Sequence, residues 1–213
     1  MASQSESVLM GRNLVSFGAS VSASQRADVM DCLLYAQLSA DGKYDRSRNW
    51  RQWIDQYQRI IYRNGARISG AIDPVRISIQ NVRELRYLAL QISGSATSPA
   101  LRGLLERSIH KLMDSAHATA FFNSWFSSGR SESMQVIPCE SRGDGSVEIL
   151  VCGLQMTTSV VKPGFFFWDV LSGEMTVNSN GGSFLMTEES YAPYRESVTA
   201  YLTAHSQQAL LEL

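Results

Sequence analysis

Residues 134–157 read MQVIPCESRGDGSVEILVCGLQMT, and this stretch decides the fold class. Two runs rich in apolar and β-branched residues, Met134–Cys139 and Ser146–Thr157, flank Arg142-Gly143-Asp144-Gly145. Gly and Asp tolerate turn backbone, so the stretch predicts a hairpin. More β-rich runs follow at Gly164–Leu171, Glu174–Asn178 and Ser183–Thr187. Lys162-Pro163-Gly164, Ser172-Gly173 and Asn180-Gly181-Gly182 read as the turns between them. Short Gly-bearing connections of this kind predict an antiparallel β-meander. A final helix, about Glu188 to Gln208, begins with Glu188 and Glu189, where negative charge suits the helix dipole. Tyr191, Tyr194, Val198, Tyr201 and Leu202 form its apolar face.

Upstream of residue 131 the pattern is helical. Asn49 to Arg63 is the clearest helix. Trp50, Trp53, Ile54, Tyr57, Ile60 and Ile61 fall on one arc, and Arg51, Gln52, Asp55, Gln56, Arg59 and Arg63 fill the other side. Asn64-Gly65 ends it. An earlier helix spans Ser24 to Ala40, capped by Ser22 or Ser24, with Asp28 in its first turn and Gly42 as its stop. Ser98-Pro99 starts another, carrying Leu101, Leu104, Leu105, Ile109, Leu112 and Met113. It runs on, with a break near His117, toward Phe121, Phe122, Trp125 and Phe126. Residues 67–80 alternate with period two around Asp73-Pro74, which favours a short hairpin. A single helix from Pro74 to Ile92 is the rival reading. The fold class expected is therefore α+β: an N-terminal helical part of about four helices, then an antiparallel β-meander and a C-terminal helix. The divisions are a flexible lead-in at 1–22 with a short strand at Leu14–Phe17, a basic helical part at 23–130, and an acidic part at 131–213. Together they read as one composite domain.

The charge pattern is more informative than its total. The 213 residues carry a net charge of −1. Residues 1–130 hold sixteen Lys and Arg against ten Asp and Glu, while residues 131–213 hold three against ten. Such a split points to a charged partner or to one portion meeting the other. Between Lys43 and Arg86 lie nine arginines, among them Arg51, Arg59, Arg63, Arg67, Arg83 and Arg86. Nucleic acid is disfavoured as the partner. The aromatics Trp50, Trp53 and Tyr57 sit on the apolar arc, away from most of these cations, and the isoelectric point is near 6.3.

Other patterns exclude more than they suggest. No run reaches the length of a membrane-spanning helix, and no basic cluster precedes an apolar run at the N-terminus. Cytoplasmic location is the default, with export by a signal-independent route left open. Cys32, Cys139 and Cys152 form no CxxC pair, which argues against a zinc site. Cys139 and Cys152 flank the predicted hairpin and are placed to face each other. Asp41, Asp45 and Asn49 resemble a calcium loop, but Lys43 takes a ligand position and Gln52 replaces the bidentate Glu. His110 and His117 are two helical turns apart, too far for one metal. Arg142-Gly143-Asp144 spells an adhesion tripeptide, but turn formation accounts for it. No metal and no cofactor are expected, and no nucleophile or phosphate-loop motif is present.

The main functional reading is a non-enzymatic interaction or assembly protein. A protein partner or a second copy would bridge the basic helical surface (Arg51, Arg59, Arg63, Arg67, Arg83, Arg86) and an acidic one (Glu188, Glu189). Phe165 and Phe167 share one face of a strand and would supply apolar contact. The alternative is a membrane-active protein, a pore former or toxin component, that inserts part of 146–187, where charges are sparse. The third is an enzyme with an unrecognised site.

Overall fold

The computed structural model describes residues 6–79, 84, 98–114, 131–158, 175–205 and 210–212. The chain opens with a hairpin, β1 (Glu6–Met10) and β2 (Asn13–Phe17), turning at Gly11 with φ of 59°. Helices α1 (Ala23–Asp41) and α2 (Trp50–Arg63) follow, then β3 (Arg67–Ile72), β4 (Arg76–Ile79) and α3 (Pro99–Asp114). The last portion holds β5 (Glu132–Ser141), β6 (Val147–Thr158), β7 (Met175–Met186), α4 (Glu188–His205) and β8 (Leu210–Glu212). The eight strands form one mixed sheet in the order β3-β7-β6-β5-β2-β1-β8, with β4 also paired to β7. All pairings are antiparallel except β2 with β5.

This is the α+β arrangement expected, and β5, β6 and β7 form the meander. Alternation in the strands defines two faces. Val15, Phe17, Ile137, Cys139, Val147, Ile149, Val151, Phe184 and Met186 point to the side covered by α1 and α2 and form the main core with them. On the opposite side Ser16 Oγ accepts a 2.7 Å hydrogen bond from Ser108 of α3 and donates to Ser7 Oγ at 3.1 Å. The sheet therefore carries helices on both faces.

Helix α2 forms as its pattern requires. All six residues of its apolar arc are buried, with Trp53 and Tyr57 stacked 5.2 Å apart. Each large side chain buried this way contributes roughly 2 kcal/mol. Helix α1 starts with a capping box: Ser22 accepts from Gln25 N–H, and the Gln25 side chain accepts from Ser22 N–H.

Several expectations need correction. The lead-in is not loose, because 6–17 supplies two strands with buried side chains at Val8, Leu9, Met10 and Leu14. β3 and β4 are strands, but they do not pair with each other; both lie along β7. Asn180-Gly181-Gly182 is not a turn, since β7 runs through it without interruption. A side chain at Gly181 would overlap the Val151 carbonyl, so these glycines permit close backbone approach inside the sheet. Asp28 lies beyond the first turn of α1, and a buried ion pair explains it instead. Cys139 pairs with Ile149 and Cys152 with Val136, so the two thiols do not face each other, and all three cysteines are free. The expected strand at Gly164–Leu171, with Phe165 and Phe167, lies outside the described residues, as do Arg83, Arg86, His117 and the continuation toward Phe126.

Candidate functional site

The longest regular feature is the antiparallel pair β6–β7. Twelve residues of β6 pair with twelve of β7, from Val147↔Met186 to Thr158↔Met175, without a register shift. On the face away from α2, Leu150, Cys152, Leu154, Met156 and Val177 are buried, and so are Ser179 and Ser183 of β7. Glu148 is the charged residue of that face, and it sits at the end of β6. The face toward α2 is divided. Val147, Ile149, Val151, Phe184 and Met186 are apolar and buried, whereas Gln155, Thr157, Thr176, Asn178 and Asn180 are polar. Gly153 lies beneath Ile54 of α2, where a Cβ would sit 2.8 Å from the Ile54 side chain.

A polar network fastens the helical layer to this sheet. Arg46, in the connection from α1 to α2, lies 4.0 Å over the Trp53 ring. Its guanidinium donates to Ser133 Oγ at 2.8 Å and to Gln135 Oε1, both on β5. Burial pulls this guanidinium down to about 10, with Asp41 opposing, so it stays charged at neutral pH. Trp53 Nε1 donates to Asp41 at 2.7 Å, and Asn13 of β2 donates to Gln37 of α1. Arg195 of α4 donates two hydrogen bonds to Asp28 of α1.

Glu148 pairs across the sheet with Glu140. Burial pushes the Glu148 carboxyl up from its ordinary value, with Arg142 acting the other way. Glu140 accepts a 2.7 Å hydrogen bond from Ser20. Burial also pushes the Cys32 thiol up to about 12, and raises Cys139 and Cys152. None of the three is an activated nucleophile.

Of the expected interaction residues, Arg51, Arg59, Arg63 and Arg67 are exposed on α2 and the start of β3. Glu188 and Glu189 occupy the first turn of α4, as expected. The stretches of chain that carry the acidic and basic sets come close at one point. Gly65, between Arg63 and Arg67, packs against the Ser190 carbonyl, one residue after Glu189. The front and back portions also meet at Arg12–Glu132, 2.6 Å, which satisfies part of the charge split inside one molecule. At Asp28–Arg195, 2.7 Å, the front supplies the acid and the back the base, the reverse of the split.

Sequence reading counts Arg46 among the basic cluster but misses its role, which depends on β5 lying beneath it. It also puts Tyr194 on the apolar face of the last helix and singles out neither Tyr62 nor Ile68, yet among the described residues Tyr62, Ile68 and Tyr194 are the large apolar side chains left exposed, at 54%, 58% and 36%. Tyr62 lies off the α2 arc, which was a usable signal. Asp45 caps Ser47 and Arg48 backbone N–H groups, and Asp144 caps Ser146, so both belong to turns. Among the described residues no cluster of three His, Cys, Asp or Glu could hold a metal ion. Among them, too, no helix is long and apolar enough to cross a membrane.

No protein-family model matches this chain, and no curated protein matches it in sequence. Solved structures with a similar chain course include a delta-endotoxin, 15% identical, covering 81% of this chain and 80% of that one with a TM-score of 0.47. Another is the activated Cyt2Ba monomer from Bacillus thuringiensis subsp. israelensis, 12% identical, covering 80% and 94% with a TM-score of 0.44. A third is the Evf virulence factor, 11% identical, covering 87% and 74% with a TM-score of 0.38.

Proposed function

We propose that the protein is membrane-active and that the β6–β7 pair is its inserting element. The observation that carries this reading is the length and facing of that pair. Each strand has 12 residues, and a strand needs about 9–11 to cross the hydrocarbon layer. On β6 one face is apolar from Leu150 to Met156, as a lipid-facing surface requires, and β7 adds Val177 and the small residues Ser179, Gly181 and Ser183 to it. The other gathers Gln155, Thr157, Thr176, Asn178 and Asn180, which suit a wetted side. In the folded molecule β3, β4 and β5 pair with these strands, α2 packs on one face and the apolar face opposite is also buried, so insertion requires the α1–α2 layer to lift away and that apolar face to be uncovered as well. The Arg46 network and the Asp28–Arg195 pair hold that layer in place.

The test is release of an entrapped dye from vesicles, combined with depth measurement. Met156→Cys, on the apolar face, carries an environment-sensitive fluorophore, and Gly143→Cys, at the open β5–β6 turn, serves as the water-exposed control. Release should occur, and a lipid-borne quencher should reach the probe at position 156 and spare the one at 143. Intact vesicles with both probes unquenched would overturn the reading.

A further inference from the structure

We infer that the corner where α2 passes into β3 is a phospholipid-docking surface, which seats the protein on a bilayer before any strand enters it. The inference rests on the membrane-active reading. Exposed apolar residues scattered singly need no explanation, but a group of them marks a contact surface. Tyr62, Ile68 and Tyr194 are the large apolar side chains exposed among the described residues, and Tyr62 and Ile68 stand three residues before and three after Gly65. Gly65 N–H donates to the Tyr62 carbonyl at 3.2 Å. A Cβ on Gly65 would lie 3.2 Å from the ring edge of Tyr194. Gly65 itself has φ of 93°, and Ile68 follows three residues later on β3.

The chemistry of the corner matches the headgroup level of a membrane. Tyrosine presents an apolar ring with a polar tip and is enriched there. Arg59, Arg63 and Arg67 are exposed along the same stretch of chain as Tyr62 and Ile68. Their forked donors fit a lipid phosphate, and arginine stems can cover apolar surface. The acids nearby are Asp55 on α2 and Glu188 and Glu189 on α4; Glu188 lies 3.8 Å from Arg195. Charge around the corner is close to balanced. Recognition therefore falls to individual Arg–phosphate contacts and to burial of the three side chains, not to a long-range field. Arg67 and Ile68 pair with Leu185 and Phe184 of β7, so the seat is joined directly to the strand proposed to insert.

Flotation with vesicles of phosphatidylcholine and phosphatidylserine tests this. Because both side chains are exposed, Tyr62→Ser/Ile68→Ser should fold with unchanged circular dichroism and melting temperature. It should bind vesicles about tenfold more weakly, as loss of two interfacial anchors implies. Arg63→Gln/Arg67→Gln should also weaken flotation, and Tyr62→Trp should bind at least as well as the unmodified chain. Flotation and leakage unchanged in Y62S/I68S would overturn the corner and leave insertion standing. Flotation without leakage in the unmodified chain, lost in Y62S/I68S, would support the corner and remove insertion. A chain that does not float at all overturns both. If the double variant alters sedimentation but not flotation, the corner joins copies of the chain and the inference falls.

Discussion

Arg195 on α4 grips Asp28 on α1 with two hydrogen bonds, Nε to Oδ1 at 2.8 Å and Nη2 to Oδ2 at 2.7 Å. The residues are 167 positions apart, and the carboxylate side chain is only 10% exposed. This is the planar, two-point pairing that Arg forms and Lys cannot. It ties the terminal helix to the first one.

Replacing Arg195 by Ala leaves a mostly buried carboxylate without its partner. Full burial of such an orphan costs about 3–5 kcal/mol. Because the Arg195 side chain is 41% exposed, water recovers part of that, and a loss well below the full-burial figure is expected. Arg195→Lys should recover less than half. Urea unfolding of both variants, with Asp28→Asn and the double variant closing a cycle, measures the coupling.

Stability should fall with rising pH at Glu148. The carboxyl's ordinary value is 4.5, and burial raises it in the folded chain. The native state then binds the proton more tightly than the unfolded state. The associated stability is fully present below about 4.5 and is lost as pH rises through the elevated folded value. Glu148→Gln should therefore melt higher than the unmodified chain at pH 7. The difference should vanish by about pH 4, where both carry a neutral side chain. Melting curves across that range decide it; a constant gap at all pH values would contradict the assignment.

The three thiols should be silent in the native protein. With Cys32 at about 12 and the other two also raised by burial, very little thiolate exists at pH 8. Maleimide should label none of Cys32, Cys139 and Cys152 before denaturation and all three after it. Mass spectrometry counts the adducts.

Glycine substitutions should separate by position. Gly181→Ala pushes a methyl into the Val151 carbonyl, and Gly65→Ala meets the Ser190 backbone in addition to a φ of 93°. Each should cost about 3 kcal/mol or more, or prevent folding. At Gly143, where nothing lies within 4 Å, Ala should change stability by less than about 0.5 kcal/mol. Expression and melting temperature of the three variants provide the comparison.

Helix α2 and the β5–β6 hairpin were legible because each writes its own pattern over a dozen consecutive residues. β1 was not, because Ser7 and Ser16 turn inward to meet Ser108, so polar residues occupy core positions. β7 reads as two strands in the sequence because Gly181-Gly182 has the composition of a turn. Its real role, admitting the neighbouring backbone, depends on β6. β3 and β4 alternate visibly, but their common partner lies more than 90 residues away, and local pattern carries no information about it. Of the candidate site, the cations of α2 and the reach of β6 could be read from sequence. The corner at Gly65 could not, because Tyr194 arrives there through the fold of the whole sheet.

The parallel strand β2 finds its neighbour β5 only after roughly 120 intervening residues, the separation between Arg12 and Glu132. On the ribosome, then, the first hairpin and the α1–α2 layer emerge long before the surface they cover exists. Pairings this remote make folding slow and leave unsatisfied edges exposed to other chains meanwhile. Refolding from denaturant should accordingly be slow and sensitive to protein concentration, and the newly made polypeptide is a natural client for chaperones.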